Sequence, residues 1–384
     1  MSILQRYFTS QIMKAVFFVL MAFLALFAFF DLVAEINSVG RGVYKLKHAF
    51  AYILLNIPGY IYELMPVAVL IGTIYVLARF ASNSEFTIMR ASSLSTMQAA
   101  WILIRIGLVF MIFTSVIGEF VTPYTATMAS EFRDDKLLRD RSMRGLSRTG
   151  IWSRDSIYAN SKDGEVIGSR YINIAGLRTD RTIRQVAFYE FDLEQQLRRI
   201  VTASQGRYLG DQEWELSDVT VETLTIPGKP GETRFPASAP EFRTQKFASL
   251  NLHSDLTPTI LSVLAVDATK MSAYDLAVYN RHMEANSQDT AAYKIAFWKK
   301  IVYPFSIFVM MALALPFAYL HFRSGGISVK IFTGIMIGVL FMLLNSLFSH
   351  IGLLNTWPPL LTAILPSIVF LLFACGALWW VERH

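Results

Sequence analysis

Ser349 and His350 are the one suggestive nucleophile-and-base pair in the apolar part of this sequence. They are poorly placed for hydrolysis, because adjacent residues on a helix point ~100° apart and cannot share a proton unaided. The six histidines are scattered and the only cysteine, Cys375, sits in the last apolar run, where it has no internal partner. No H-E-x-x-H, G-x-S-x-G or His/Cys metal-ligand spacing occurs, and no G-x-x-x-x-G-K-[ST] loop is present to cradle a nucleotide. These residues predict no catalytic group, no metal and no cofactor. An intramembrane hydrolase would require Ser349 or His350 to be essential. Active work must therefore draw on a partner or on an ion gradient. Ion coupling calls for interacting charges deep in the bilayer, where each costs ~2.5–3.5 kcal/mol on insertion scales. Glu63 and Glu119 fall near the outer ends of their helices, and Arg105 is close enough to the cytoplasmic face to snorkel, so interfacial roles suit all three.

A short turn offers more. Ser82 and Glu85 have the S-x-x-E spacing of a capping box, which predicts a helix over residues 82–93. Phe86 and Met89 would then form an apolar face flanked by Glu85 and Arg90. Such a helix on the cytoplasmic surface is suited to dock into a groove of an ATPase; packing on lipid is the plainer use of the same face.

The elements that position these residues are set by composition. Of 384 residues, 54% are hydrophobic, an excess that a water-soluble chain of this size could not cover. The formal charge is +6, yet no basic run or nucleic-acid module accompanies it, and basic residues flanking membrane helices account for it without nucleic acid. A span needs ~20 mainly apolar residues. Six stretches qualify: roughly 12–30, 60–80, 97–120, 301–320, 331–350 and 359–381. The second is extended upstream by an amphipathic stretch and carries Pro58 and Pro66 as expected kinks. With the N terminus inside, Arg6, Lys14, Arg79, Arg90, Arg323, Lys330 and Arg383 are cytoplasmic and only Arg41, Lys45 and Lys47 lie outside. The positive-inside rule favours that orientation, which puts both termini in the cytoplasm and residues 122–299 outside it.

Between the two halves the pattern changes to short β runs at 157–159, 186–191, 197–203, 206–209 and 219–225, with a turn at 192–196. The expected fold is an α-helical polytopic membrane protein of six spans, three plus three, with an inserted antiparallel β sandwich or jelly-roll-like domain. Its unpaired edge could accept a strand from another protein. A connecting helix is expected over 267–288. The domains read as a first bundle at 1–121, the β domain at 122–266, the connecting segment at 267–299 and a second bundle at 300–384.

Four stretches in this order resemble the LptF/LptG family of lipopolysaccharide export permease subunits, its LptG branch more closely. They are Gly40-Arg41-Gly42-Val43-Tyr44, the turn Ser84 to Ser92, Gly118-Glu119-Phe120-Val121-x-Pro123, and Trp298-Lys299-Lys300-Ile301-Val302-Tyr303-Pro304. The resemblance covers nearly the whole chain. It implies a subunit of an ABC-type transporter of the bacterial inner membrane, paired with an LptF-like permease and driven by an LptB-like ATPase dimer. An LptC-like single-span protein and a periplasmic bridge protein reached through the β domain are implied as well. Lipopolysaccharide would leave the outer leaflet through an apolar cavity rimmed by cations. Arg133 and Lys300 match basic positions of the family, and Lys136, Lys299 and Arg41 lie at the same level; Glu85, Phe86, Met89 and Arg90 match its coupling helix. Asp31, Glu35, Asn37 and Ser38 stand where the family's first helix is expected to carry lysines, so Arg41, Lys45 or Lys47 would have to replace them. A membrane-anchored assembly or signalling protein that binds its partner through the β domain is the alternative.

Overall fold

The computed structural model describes residues 3–40, 43–85, 88–89, 96–138, 151–158, 166–177, 182–225, 241–258, 260–261, 267–286, 288–319 and 326–383. The chain forms two compact units. The first comprises Met1–Ala129, Ala268–Ala277 and Thr290–His384, the second Ser130–Asp267 and Val278–Asp289.

The helices are α1 (Ile3–Ile36), α2 (Leu46–Ser82), α3 (Thr96–Val116), α4 (Thr122–Leu138), α5 (Ala273–Ala285), α6 (Ala291–Val302), α7 (Ser306–Ala314), α8 (Ile327–Leu354) and α9 (Pro359–Arg383). Six stretches among the described residues are long and apolar enough to cross a membrane: α1, α2, α3 with α4, α6 with α7, α8 and α9. The second span does extend upstream, as one helix from Leu46 with Pro58 and Pro66 inside it.

α2 is the hub of the first unit. Its apolar window is 83% buried within the chain against 17% for α1, 22% for α8 and 28% for α9, so the outer helices give most of their apolar surface to the surroundings. Small residues allow the close approach, as in membrane bundles generally. A Cβ on Gly72 would lie 2.8 Å from the Val16 backbone of α1. One turn apart on α8, Gly334 and Gly338 rest on Ile74 and Val67 of α2, where added Cβ atoms would lie 2.8 and 2.7 Å away.

Two spans are interrupted, each beside a proline. The third passes through a π-helical turn, Ile117–Val121, closed by the amide of Thr122 donating to the carbonyl of Ile117. Pro123 follows and has no amide to restore the α pattern. The fourth tightens into 3-10 turns at Tyr303–Phe305 and Leu315–Ala318, each with a proline at its start.

The second unit is built on a six-stranded antiparallel sheet in the order β1-β2-β3-β4-β5-β6, so each strand pairs with the next. The strands are β1 (Ile151–Tyr158), β2 (Val166–Leu177), β3 (Thr182–Asp192), β4 (Leu197–Gly210), β5 (Glu213–Thr225) and β6 (Glu241–His253). The turn expected at 192–196 is present: Asp192 Oδ1 accepts from the amides of Glu194 and Gln196, and Arg198 Nε donates to Oδ2 at 2.6 Å. The sheet is creased. At one level across three neighbours the buried positions step by three instead of two, at Ile183 and Val186, Ala203 and Gly206, and Leu216 and Val219. Gln185 and Asp218 hold φ of 47° and 53° on this line. Gly206 leaves the space there that Ile183 and Leu216 fill. Pairing register is kept across the crease, while the pleat changes face.

Candidate functional sites

At the C-terminal end of α2, the predicted capping box does not form. Ser82 is still helical, and its hydroxyl donates to the carbonyl of Arg79 at 2.9 Å. A serine at the end of a helix finds that carbonyl before any following amide. Ser84 makes the turn instead, with φ 60°, and its carbonyl accepts from the amide of Ile88 at 3.0 Å. Glu85 is fixed from two sides: Asn83 Nδ2 donates to one oxygen at 3.1 Å, and the Tyr7 hydroxyl of α1 donates to the other at 3.3 Å. Tyr7 also stacks on Phe80, with ring centres 5.6 Å apart. Met89 is 8% exposed and packs into the bundle core, whereas Ile88 is 64% exposed and faces outward. Phe86 and Arg90 lie outside the described residues.

At the opposite end of the bundle, Lys299 and Lys300 stand together on α6 but in different surroundings. Lys299 Nζ donates to the Ser349 hydroxyl of α8 at 2.9 Å, and that hydroxyl donates in turn to the carbonyl of Asn345 at 2.8 Å. Ser349 is thus a relay from a cation to a carbonyl, the wrong polarity for a lysine acting as its base. Lys300 is 8% exposed, and its ammonium lies 4.5 Å from the ring centre of Tyr62. It has no hydrogen-bond partner among the described residues. Tyr62 approaches so closely because Gly118 sits in the π turn; a Cβ there would lie 2.4 Å from the ring.

The same end carries contacts that sequence reasoning missed. Glu119, also in the π turn, accepts from the amides of Ala273 at 2.9 Å and Tyr274 at 3.3 Å, the first two residues of α5. Lys270 Nζ donates to Asn56 at 2.9 Å. Asp31 accepts from the Tyr60 hydroxyl at 2.6 Å, so the acidic C-terminal part of α1 is tied to α2. Tyrosines and asparagine inside apolar runs were the available signal, since a polar group in hydrocarbon needs a partner. Arg41 lies outside the described residues; Lys45 and Lys47 are exposed. Arg133 and Lys136 are on α4 beyond Ala129, within the second unit; Arg133 is partly exposed and the side chain of Lys136 is outside the described residues.

The β unit has a polar site of its own, a cavity of about 350 Å³ bordered by Asp155, Arg170, Glu190, Arg199, Asn251 and Ser254. Arg170 donates to Glu190 at 3.0 Å and to the carbonyl of His253 at 2.6 Å. Asp155 is fully buried, accepts from the Ser254 hydroxyl at 2.8 Å and lies 3.6 Å from Arg170. Burial pushes its carboxyl up, against the pull of Ser254 and Arg170.

An apolar six-span bundle with an inserted β unit and paired lysines at one end defines a multi-pass membrane protein. The family described as lipopolysaccharide export system permease LptF/LptG matches residues 6–383. The chain is 28% identical over 379 residues to the lipopolysaccharide export system permease protein LptG of Haemophilus influenzae, covering 98% of this chain and 97% of the relative. It is 27% identical over 382 residues to the protein of the same name from Escherichia coli, covering 99% and 98%. This chain belongs to the LptF/LptG family of lipopolysaccharide export permeases, multi-pass proteins of the inner membrane, and the anchored-assembly alternative is not favoured.

Proposed function

We propose that this chain forms half of a lipopolysaccharide-extracting cavity, paired with an LptF-like subunit and driven by an LptB-like ATPase dimer, with an LptC-like single-span protein alongside. The observation that carries the cargo reading is Lys300. Cation–π attraction for a desolvated pair contributes about 2 kcal/mol or somewhat more, whereas removing an ammonium from water costs several kcal/mol. The ammonium is buried beside Tyr62 with no hydrogen bond among the described residues, and a phosphate would supply the acceptors it lacks. Lys299 adds a second cation from the same helix turn, and Arg133, Lys136 and Arg41 complete the proposed basic set.

The termini are cytoplasmic and the β unit periplasmic in this reading, on the balance of lysine and arginine at the short flanks. Glu85, Phe86, Met89 and Arg90 form the ATPase-coupling segment, with Tyr7 joining its motion to α1. ATP-driven closure of the paired bundles expels the lipid toward the β unit, which hands it to a periplasmic bridge protein. ATP hydrolysis belongs to the partner.

The test is a photo-crosslinking residue at Ile88 and another at Tyr62, in the chain expressed in its own envelope. Capture of a nucleotide-hydrolysing protein at Ile88 and of lipopolysaccharide at Tyr62 is expected. Capture of phospholipid alone at both positions would remove the basis for the coupling and cargo assignments.

A further inference from the structure

The π turn at Ile117–Val121 places two consecutive residues in contacts that an uninterrupted α-helix would break. Gly118 admits the Tyr62 ring, and Glu119 caps α5. A carboxylate on two amides at a helix start is a charge-assisted, dipole-aligned contact. It adds to a cap that α5 already has, because the amide of Asp275 donates to the Ser272 hydroxyl at 3.0 Å and that hydroxyl donates back at 2.6 Å. Helix initiation is provided for by Ser272, so Glu119 is free to serve as a link between two elements.

A π turn holds one residue more than the α turn it replaces. Converting it to α register rotates one side of the helix relative to the other by ~100°. A carboxylate ~5–6 Å from the helix axis would sweep roughly 8–9 Å in that rotation, far beyond hydrogen-bond reach of α5. Pro123 has no amide and so forfeits no bond in either register. The same rotation would take Gly118 away from Tyr62 and bring a side chain against the ring, so Tyr62 must move. The ammonium of Lys300 lies over that ring.

We propose that Glu119 is a positioning residue for transport: its carboxylate straps the first turn of α5 to the third span, and a π-to-α shift at Ile117–Val121 releases the strap as Tyr62 moves under Lys300. α5 continues through Val278 into the residues of the β unit, so the strap joins the state of the bundle to the segment leading there. The transport role in this inference rests on the proposed function; the strap itself does not.

The two are separated by experiment. Amide exchange over residues 273–277 is measured first on the whole chain alone in lipid nanodiscs, for the unaltered protein, Glu119→Gln and Glu119→Ala. Loss of a charged acceptor speeds exchange of Ala273 and Tyr274 by about 10- to 100-fold in Glu119→Ala, and Glu119→Gln recovers part of the protection. Equal exchange in all three overturns the strap whatever the chain transports. If Glu119→Ala does not insert, Glu119→Asp, one methylene short, takes its place with the same expectation. The assembled, ATP-hydrolysing transporter is then compared nucleotide-free and vanadate-trapped. The shift predicts that protection of the two amides differs at least about fivefold between the states, the worth of one hydrogen bond. It also predicts that Glu119→Ala releases several-fold less lipopolysaccharide per ATP, with rescue by Glu119→Gln. Identical protection in both states, or undiminished release per ATP, makes Glu119 a static cap. An assembly that hydrolyses ATP without moving lipid even when unaltered counts against the proposed function, while the strap still stands or falls on the exchange rates of the chain alone.

Discussion

The ammonium of Lys300 lies 4.5 Å from the centre of the Tyr62 ring, buried and with no hydrogen-bond partner among the described residues. Lys300→Met keeps an unbranched chain of similar reach and removes the buried ammonium. Stability in detergent should be unchanged or rise by up to ~2 kcal/mol. Binding of lipopolysaccharide should fall more than binding of a neutral lipid, and adding Arg133→Glu should lower it further. Equal loss for both lipids would point to damaged packing.

Gly72 meets the backbone of Val16, which cannot move aside as a side-chain tip can. Gly72→Ala should therefore cost ~1–3 kcal/mol by overpacking α1 against α2. Gly376→Ala, where no atom lies within 4 Å of the added Cβ, should cost nothing measurable. Thermal aggregation of the two variants in one detergent decides between these expectations, and similar midpoints would contradict the hub role of α2.

Glu85 is held by Asn83 and Tyr7 on the surface of the bundle. Glu85→Ala should leave insertion intact and reduce recovery of the ATPase with the purified chain. Tyr7→Phe, which keeps the stacking on Phe80 and loses the hydrogen bond, should preserve docking while lowering lipid release per ATP. Unchanged ATPase recovery with Glu85→Ala would remove the coupling assignment.

Because burial raises the pKa of Asp155, the folded chain holds that proton more tightly than the unfolded chain does. Its stabilising contribution is full below the ordinary aspartate range and is lost as pH climbs through the raised value. Asp155→Asn should thus melt higher than the unaltered chain at pH 7, and its advantage should shrink as pH falls toward 4. Slight burial works the other way at Asp192, but the Gln196 amide and Arg198 hold its pKa down. Burial lowers His282 against the pull of Asp255. Both groups titrate in either chain and cancel from the comparison. An advantage that does not vary with pH would mean that Asp155 binds its proton equally well in the folded and unfolded chains, and would contradict the raised pKa.

The spans were readable because apolar runs of membrane length are written in composition. The β unit was readable only in part. β4 reads in sequence as two strands, 197–203 and 206–209, because the crease shifts its buried positions from Ala203 to Gly206 without ending the strand. β2 was missed because Arg170, buried within it, breaks the apolar pattern, and β6 because most of its residues are exposed. Lys299 and Lys300 look equivalent in sequence, yet neighbouring positions on a helix face different elements, and here one meets Ser349 and the other Tyr62. Glu119 gave no sign of its partner, which follows 154 residues later.

The central position of α2 has a consequence for how the protein is made. Gly72 finds Val16 almost as soon as the second helix leaves the ribosome, but Val67 and Ile74 are matched by Gly338 and Gly334, roughly 260 residues later in the chain, a wait of about 13–50 s at ordinary synthesis rates. Through that interval the helix destined to be best enclosed stands in the bilayer with one face unmatched, its Val67 and Ile74 side chains still without the α8 glycines they will pack on. Biogenesis must shelter that face or tolerate its exposure. The vulnerable period for this protein thus falls before its second half is made, and a shortage of insertion factors should show first as chains whose early helices are inserted and then degraded.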